Sequence, residues 1–104
     1  MKRNGKFNAR RTVVDNITFD SKKEALRYME LKILAKTGHI SKLELQPEYP
    51  MIVNGRKVCS YRADFRYVEN GKTVVEDCKG VRTPVYAIKR KLLFACYGIK
   101  VCET

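Results

Sequence analysis

Asn70 and Gly71 stand between two runs of alternating residues, Tyr61 to Val68 and Thr73 to Lys79, and this pair constrains the chain more than any other feature. Both residues accept the positive φ of a two-residue type I′ turn, so Tyr61 to Gly80 reads as a β-hairpin whose register the turn fixes. Glu69 then faces Lys72, and Asp64 falls directly opposite Asp77. Lys79 lies two residues along, on the same face. Directly opposed side chains have Cβ atoms roughly 4.5–5.5 Å apart, where like charges destabilise a sheet. A divalent cation between the two carboxylates would compensate, which makes the hairpin a candidate catalytic site. Glu76 falls on the other face, opposite Phe65, where it is expected to meet solvent or a supporting partner. In this reading one long strand runs from Arg56 to Val68, with Tyr61, Ala63, Phe65 and Tyr67 together on the face away from the aspartates.

The charge balance bears on what such a site would act upon. Twenty-two Lys and Arg against eleven Asp and Glu leave a net charge of +11 on 104 residues, which favours a polyanion: nucleic acid first, an anionic membrane surface second. No apolar run is long enough to span a bilayer, and MKRNGKFNARRT lacks the apolar segment of a signal peptide. No membrane partner and a cytoplasmic location are therefore expected. The length suits one domain with a modest core. Cys59, Cys78, Cys96 and Cys102 form no CxxC pair and the only histidine is His39, so reduced, mostly buried thiols are expected rather than a zinc site.

Residues 1–12 are basic and nearly free of apolar side chains, and read either as a frayed terminus or as an arm in which Lys6, Arg10 and Arg11 lie along a phosphate backbone. Residues 13–104 form the single domain. Ser21 with Glu24 three positions on fits a capping box, and Gly38 fits the end of the same helix. Its apolar stripe is expected to be Leu26, Met29, Ile33 and Leu34, with Ala25 alongside. Thr83 and Pro84 begin a second helix, with Val85, Ile88, Leu92 and Ala95 as its buried stripe. Its basic remainder, Lys89 and Arg90, together with Arg62, Arg82 and Tyr86, supplies candidate contacts to nucleic acid. The order of helix, antiparallel strands, helix and strand gives an α/β fold with a mixed central sheet flanked by helices.

Phosphodiester hydrolysis needs an activated water, neutralised phosphate charge and help for the leaving oxygen, and carboxylates holding Mg²⁺ or Mn²⁺ meet these needs together. Asp64 and Asp77 are the candidate ligands, with the Cys78 backbone carbonyl as a third. Lys79 beside them would stay protonated and act electrostatically at the phosphate. Local sequence gives Glu24 a capping role and asks nothing more of it.

Asp64, then Asp77-Cys78-Lys79 on the next strand, after a helix bearing Glu24, resembles the PD-(D/E)xK nuclease superfamily. The phrases FDSKKEALRYMELKIL, LELQPEY, YRADFRY and VVEDCKG look like a small family of phage and prophage proteins placed in it. The resemblance runs from Phe7 to Val101. It implies a restriction-endonuclease-like αβββαβ core, divalent-metal-dependent DNA cleavage, and a helical glutamate, here Glu24, that joins the metal site. Gln46 in LELQPEY resembles a recurrent supporting position. Ala63 stands where many members carry proline, a departure that weakens the motif without removing its chemistry. A chain this short has no separate sequence-reading domain, so a structure-selective endonuclease acting on a junction, flap or nick is expected, in phage recombination, repair or packaging. Holliday junction resolvases of the superfamily are similarly compact and dimeric, which leaves a homodimer open. The competing reading is a non-catalytic nucleic-acid-binding accessory with a degenerate site.

Overall fold

The computed structural model describes residues 11–78 and 83–104. The basic arm through Arg10, with Lys6, and the stretch holding Lys79 and Arg82 lie outside the described residues. The elements are β1 (Thr12–Val14), β2 (Ile17–Phe19), α1 (Lys22–Lys36), β3 (Ser41–Leu45), β4 (Glu48–Val53), β5 (Arg56–Arg62), β6 (Phe65–Glu69), β7 (Lys72–Asp77), α2 (Pro84–Tyr97) and β8 (Val101–Glu103). Strands β3, β6, β7 and β8 form the central sheet in that order, antiparallel except for the parallel β7–β8 pair. This is a mixed sheet in an α/β fold. With α1 before it and α2 inserted ahead of β8, the core reads αβββαβ.

The local signals act as their chemistry requires. Asn70 and Gly71 take φ of 52° and 77°, and the ladder from Glu69↔Lys72 to Phe65↔Glu76 has the register the type I′ turn dictates. Asn54-Gly55 turns the β4–β5 hairpin in the same way. Ser21 Oγ accepts the Glu24 N–H at 3.1 Å, and Thr83 Oγ1 accepts the Tyr86 N–H at 3.1 Å, each satisfying an N-terminal donor its helix leaves free.

Three expectations are corrected. The long strand is broken: the chain leaves the two-stranded β4–β5 sheet at Arg62 and enters the central sheet at Phe65. Ala63 and Asp64 lie between, so the alternation restarts. Tyr61 and Ala63 pack with Val75 and α2, whereas Phe65 and Tyr67 pack with α1. Both helices are also rolled away from their expected stripes. Leu26, Met29 and Ile33 are exposed, and α1 instead buries Glu24, Ala25, Tyr28 and Leu31. Val85 and Ile88 are exposed, and α2 buries Tyr86 and Leu93, a roll of about one residue or roughly 100°. The physical reason is polar. Arg27 of α1 reaches a buried carboxylate in the sheet, and the hydroxyls of Tyr86 and Tyr97 in α2 reach Glu103 and Pro50 O, so each helix turns its partner-seeking side inward. The cysteines are free, but none is fully buried: Cys59 and Cys78 are half-buried, Cys96 and Cys102 exposed. Among the described residues no helix is long and apolar enough to cross a membrane.

Candidate metal centre

The break at Ala63-Asp64 places Asp64 where the ribbon meets the central sheet. Its N–H donates to Glu76 O at 3.2 Å and its carbonyl accepts the Gln46 N–H at 2.9 Å, while Ala63 N–H donates to Pro47 O at 3.1 Å. Gln46 is thus a neighbour through its backbone, at a φ of 51°, and its side chain is exposed. The Cys78 N–H donates to Asp64 Oδ2 at 2.7 Å. Cys78 thus meets the site through its amide.

Asp64 and Asp77 come together as the turn register demands, close enough for Asp77 to raise the Asp64 carboxyl. Asp77 is fully buried at 0% exposure. The Tyr61 hydroxyl donates to its Oδ2, and the Thr104 N–H donates to its backbone carbonyl at 3.0 Å. Burial and the neighbouring Asp77 carboxylate push the Asp64 carboxyl up to about 8, with the Cys78 amide opposing and Glu24 adding to the rise. Glu24 is itself buried, at 6% exposure, and its charge is felt at both Asp64 and Cys78.

Such a pair suits a hard cation, which would offset the charge of the two carboxylates. Mg²⁺ keeps several waters and is commonly bound through one or two carboxylates together with substrate phosphates, so Asp64 and Asp77 are the residues that could hold it. Among the described residues no three His, Cys, Asp or Glu side chains gather closely enough to hold a metal by themselves. Glu24 stands near the pair, close enough for its charge to reach Asp64.

The raised Asp64 affinity has a thermodynamic sign. The unfolded carboxyl titrates near 3.8 and the folded one near 8, so between these values the folded state binds more protons and loses stability as pH rises. In EDTA the protein is expected to melt at a lower temperature at pH 8 than at pH 5.5, and Asp64→Asn to flatten that slope. Equal slopes in the two proteins would remove Asp64 from the explanation.

Glu76 is excluded from the aspartate pair, as expected, but solvent is not its partner. It is 0% exposed, and Arg27 grips it through Nε to Oε1 at 2.6 Å and Nη2 to Oε2 at 2.9 Å, with the Tyr67 hydroxyl donating to Oε2 at 2.6 Å. Arg27 stands one turn beyond Glu24 on α1, and Glu76 directly precedes Asp77 on β7. The fork thus sets the position of one acidic residue relative to the other.

The basic residues divide. Arg62 and Lys89 line a polar cleft of about 380 Å³ with Glu48, Ser60, Tyr61 and Thr83, and the Ser60 hydroxyl in its wall is buried without a hydrogen-bond partner among the described residues. Tyr86 borders the same cleft, yet is buried and donates its hydroxyl to Glu103 Oε2 at 2.7 Å. Arg90 pairs with that oxygen at 3.3 Å and lies over the Tyr86 ring. Tyr86 and Arg90 thus also take part in the protein's own polar network. Arg11 is exposed.

Tyr61, Arg27 and Glu103 escape a reading of the sequence. Tyr61 was hidden by the assumption of an unbroken strand. Glu103 pairs with Asp77 across the parallel β7–β8 ladder, which no short turn specifies.

A family model described as "Protein of unknown function (DUF1064)" matches residues 4–101. No curated protein and no solved structure matches the chain.

Proposed function

We propose that this chain, which belongs to the DUF1064 family of proteins of unknown function, is a divalent-metal-dependent DNA endonuclease of the PD-(D/E)xK type. The observation that carries this reading is the Asp64–Asp77 pair, two carboxyls brought together between the Tyr61 hydroxyl and the Cys78 amide in a protein of net charge +11. Burying them together destabilises the fold, and a bound cation would reverse that penalty. The αβββαβ order and the placement of Glu24 near the pair agree with the superfamily's arrangement.

Mg²⁺ or Mn²⁺, when bound, supplies Lewis acidity and an activated water. Asp64 and Asp77 would hold it, and Tyr61 and the Cys78 amide would fix the two carboxylates. Arg62 and Lys89 would bind a backbone phosphate in the cleft whose wall includes Tyr61, and Lys79 would offset charge at the cleaved phosphate. Selectivity for a junction, flap or nick belongs to this reading. Work in recombination, repair or packaging of phage DNA, in the cytoplasm of a bacterial host, would suit it.

A second reading has its own support. The absence of a three-residue acidic cage among the described residues favours a nucleic-acid-binding accessory in which the site has lost its chemistry. Incubation with branched and linear DNA separates the two. Products that form with Mg²⁺ and not with EDTA are expected; salt-sensitive binding without cleavage in Mg²⁺ or Mn²⁺ would establish the accessory role instead.

A further inference from the structure

The β4–β5 ribbon is the part of the molecule that the carboxylate pair leaves unexplained. Its base is well supported. Tyr49 stacks edge-on against Tyr97 at 5.3 Å, the Tyr97 hydroxyl donates to Pro50 O at 2.6 Å, and Met51 and Tyr61 are buried. Past Met51 that support ends. Pairing shifts between Met51↔Cys59 and Ile52↔Lys57, which leaves Val58 outside the ladder. Every residue from Ile52 to Val58 is exposed, including Ile52 at 49%, Val53 at 43% and Val58 at 60%. Three branched aliphatics in water contribute nothing to folding there, and turn tips ordinarily carry polar residues. Arg56 and Lys57 stand among them, and no acidic residue occurs between Glu48 and Asp64.

We infer that this tip is an arm that seats in a groove of duplex DNA, with Arg56 and Lys57 on flanking phosphates and the aliphatic side chains against sugars and base edges. The inference rests on DNA being the substrate. A two-stranded ribbon fits the major groove, and branched aliphatics serve as wedges in the minor groove. A groove encloses a ribbon from both sides, which suits a tip exposed on both faces; a flat protein surface would cover only one. The excess of cations favours DNA over a neutral partner. The base of the arm is Arg62, in the cleft beside Tyr61. From Arg62 to Arg56 the strand rises roughly 20 Å, at about 3.3 Å per residue. At about 3.4 Å per base pair this places the arm's grip roughly six base pairs, half a turn, from the phosphate held at Arg62.

The experiment is a salt titration of binding to a plain duplex in EDTA, for wild type, Arg56→Gln with Lys57→Gln, and Val53→Ser with Val58→Ser, with melting temperature as the folding control. The charge variant is expected to bind about tenfold more weakly and to lower the slope of log K against log salt by about two. The aliphatic variant should weaken binding with the slope unchanged. If both bind as wild type does, or if wild type does not bind duplex at all, the arm is overturned. Cleavage in Mg²⁺ by variants that bind normally would leave the endonuclease standing without the arm. Weakened binding by both variants of a protein that never cuts would leave the arm standing without the endonuclease.

Discussion

Replacing Asp77 with asparagine is expected to lower Mg²⁺-dependent cleavage by about a thousandfold or more and, in EDTA at pH 8, to raise the melting temperature. Both effects come from one buried atom set. The asparagine has the same shape, its carbonyl can still accept from Tyr61, and its amide can donate to Asp64, so the packing of this fully buried position is kept. What disappears is a charge. Loss of a ligand removes several kcal/mol of stabilisation of the developing negative charge, and about 4 kcal/mol is a thousandfold in rate. Relief of the carboxylate pair acts in the opposite direction on the fold, and a gain of about 1 kcal/mol corresponds to roughly 4–8 °C in a domain of this size. Cleavage assays and thermal melts on the same preparation test both. A variant that cuts at the wild-type rate would refute the site, and one that melts lower would refute the account of its energetics.

Arg27→Met is expected to destabilise the protein by about 3–5 kcal/mol, a large share of the 5–15 kcal/mol typical of a domain. Glu76 is fully buried, and its carboxylate is satisfied by the Arg27 fork and the Tyr67 hydroxyl. Removing the arginine strands a charge where water cannot reach it. Removing both charges, in Arg27→Met with Glu76→Leu, should recover much of the loss, because a buried ion pair and a well-packed apolar pair have similar net value. Urea unfolding with unchanged m-values reads the difference. If the single variant is as stable as wild type, the fork is not what secures α1. The double variant carries a further expectation: with the fork gone, Glu24 loses its fixed relation to Asp77, so weaker Mn²⁺ binding should accompany restored stability.

These two sites differ in how far the sequence discloses them. Asn70-Gly71 acts within a few residues, and a turn that fixes φ also fixes the register, so the meeting of Asp64 with Asp77 was legible at once. The caps at Ser21 and Thr83 were legible for the same reason. The helix faces were not. Counting apolar residues favoured Leu26, Met29 and Ile33, whereas α1 is oriented by Arg27 reaching a glutamate 49 positions away. A local pattern carries no information about that partner. Tyr61 was missed because alternation was carried through Ala63-Asp64 as if the strand were continuous, and nothing short-range announces that two sheets exchange the chain there.

That exchange point also has a mechanical meaning. Both strands of the ribbon change direction at one place, at Gln46-Pro47 on one side and Ala63-Asp64 on the other, tied by two backbone hydrogen bonds. Asp64 therefore occupies the fulcrum of a lever whose long end is the Asn54-Gly55 tip. Points at a fulcrum move least. A swing of a few degrees would carry the tip through an ångström or more while barely displacing Asp64 from Asp77, so the arm could follow bent, nicked or branched duplexes without loosening the carboxylate pair at its root.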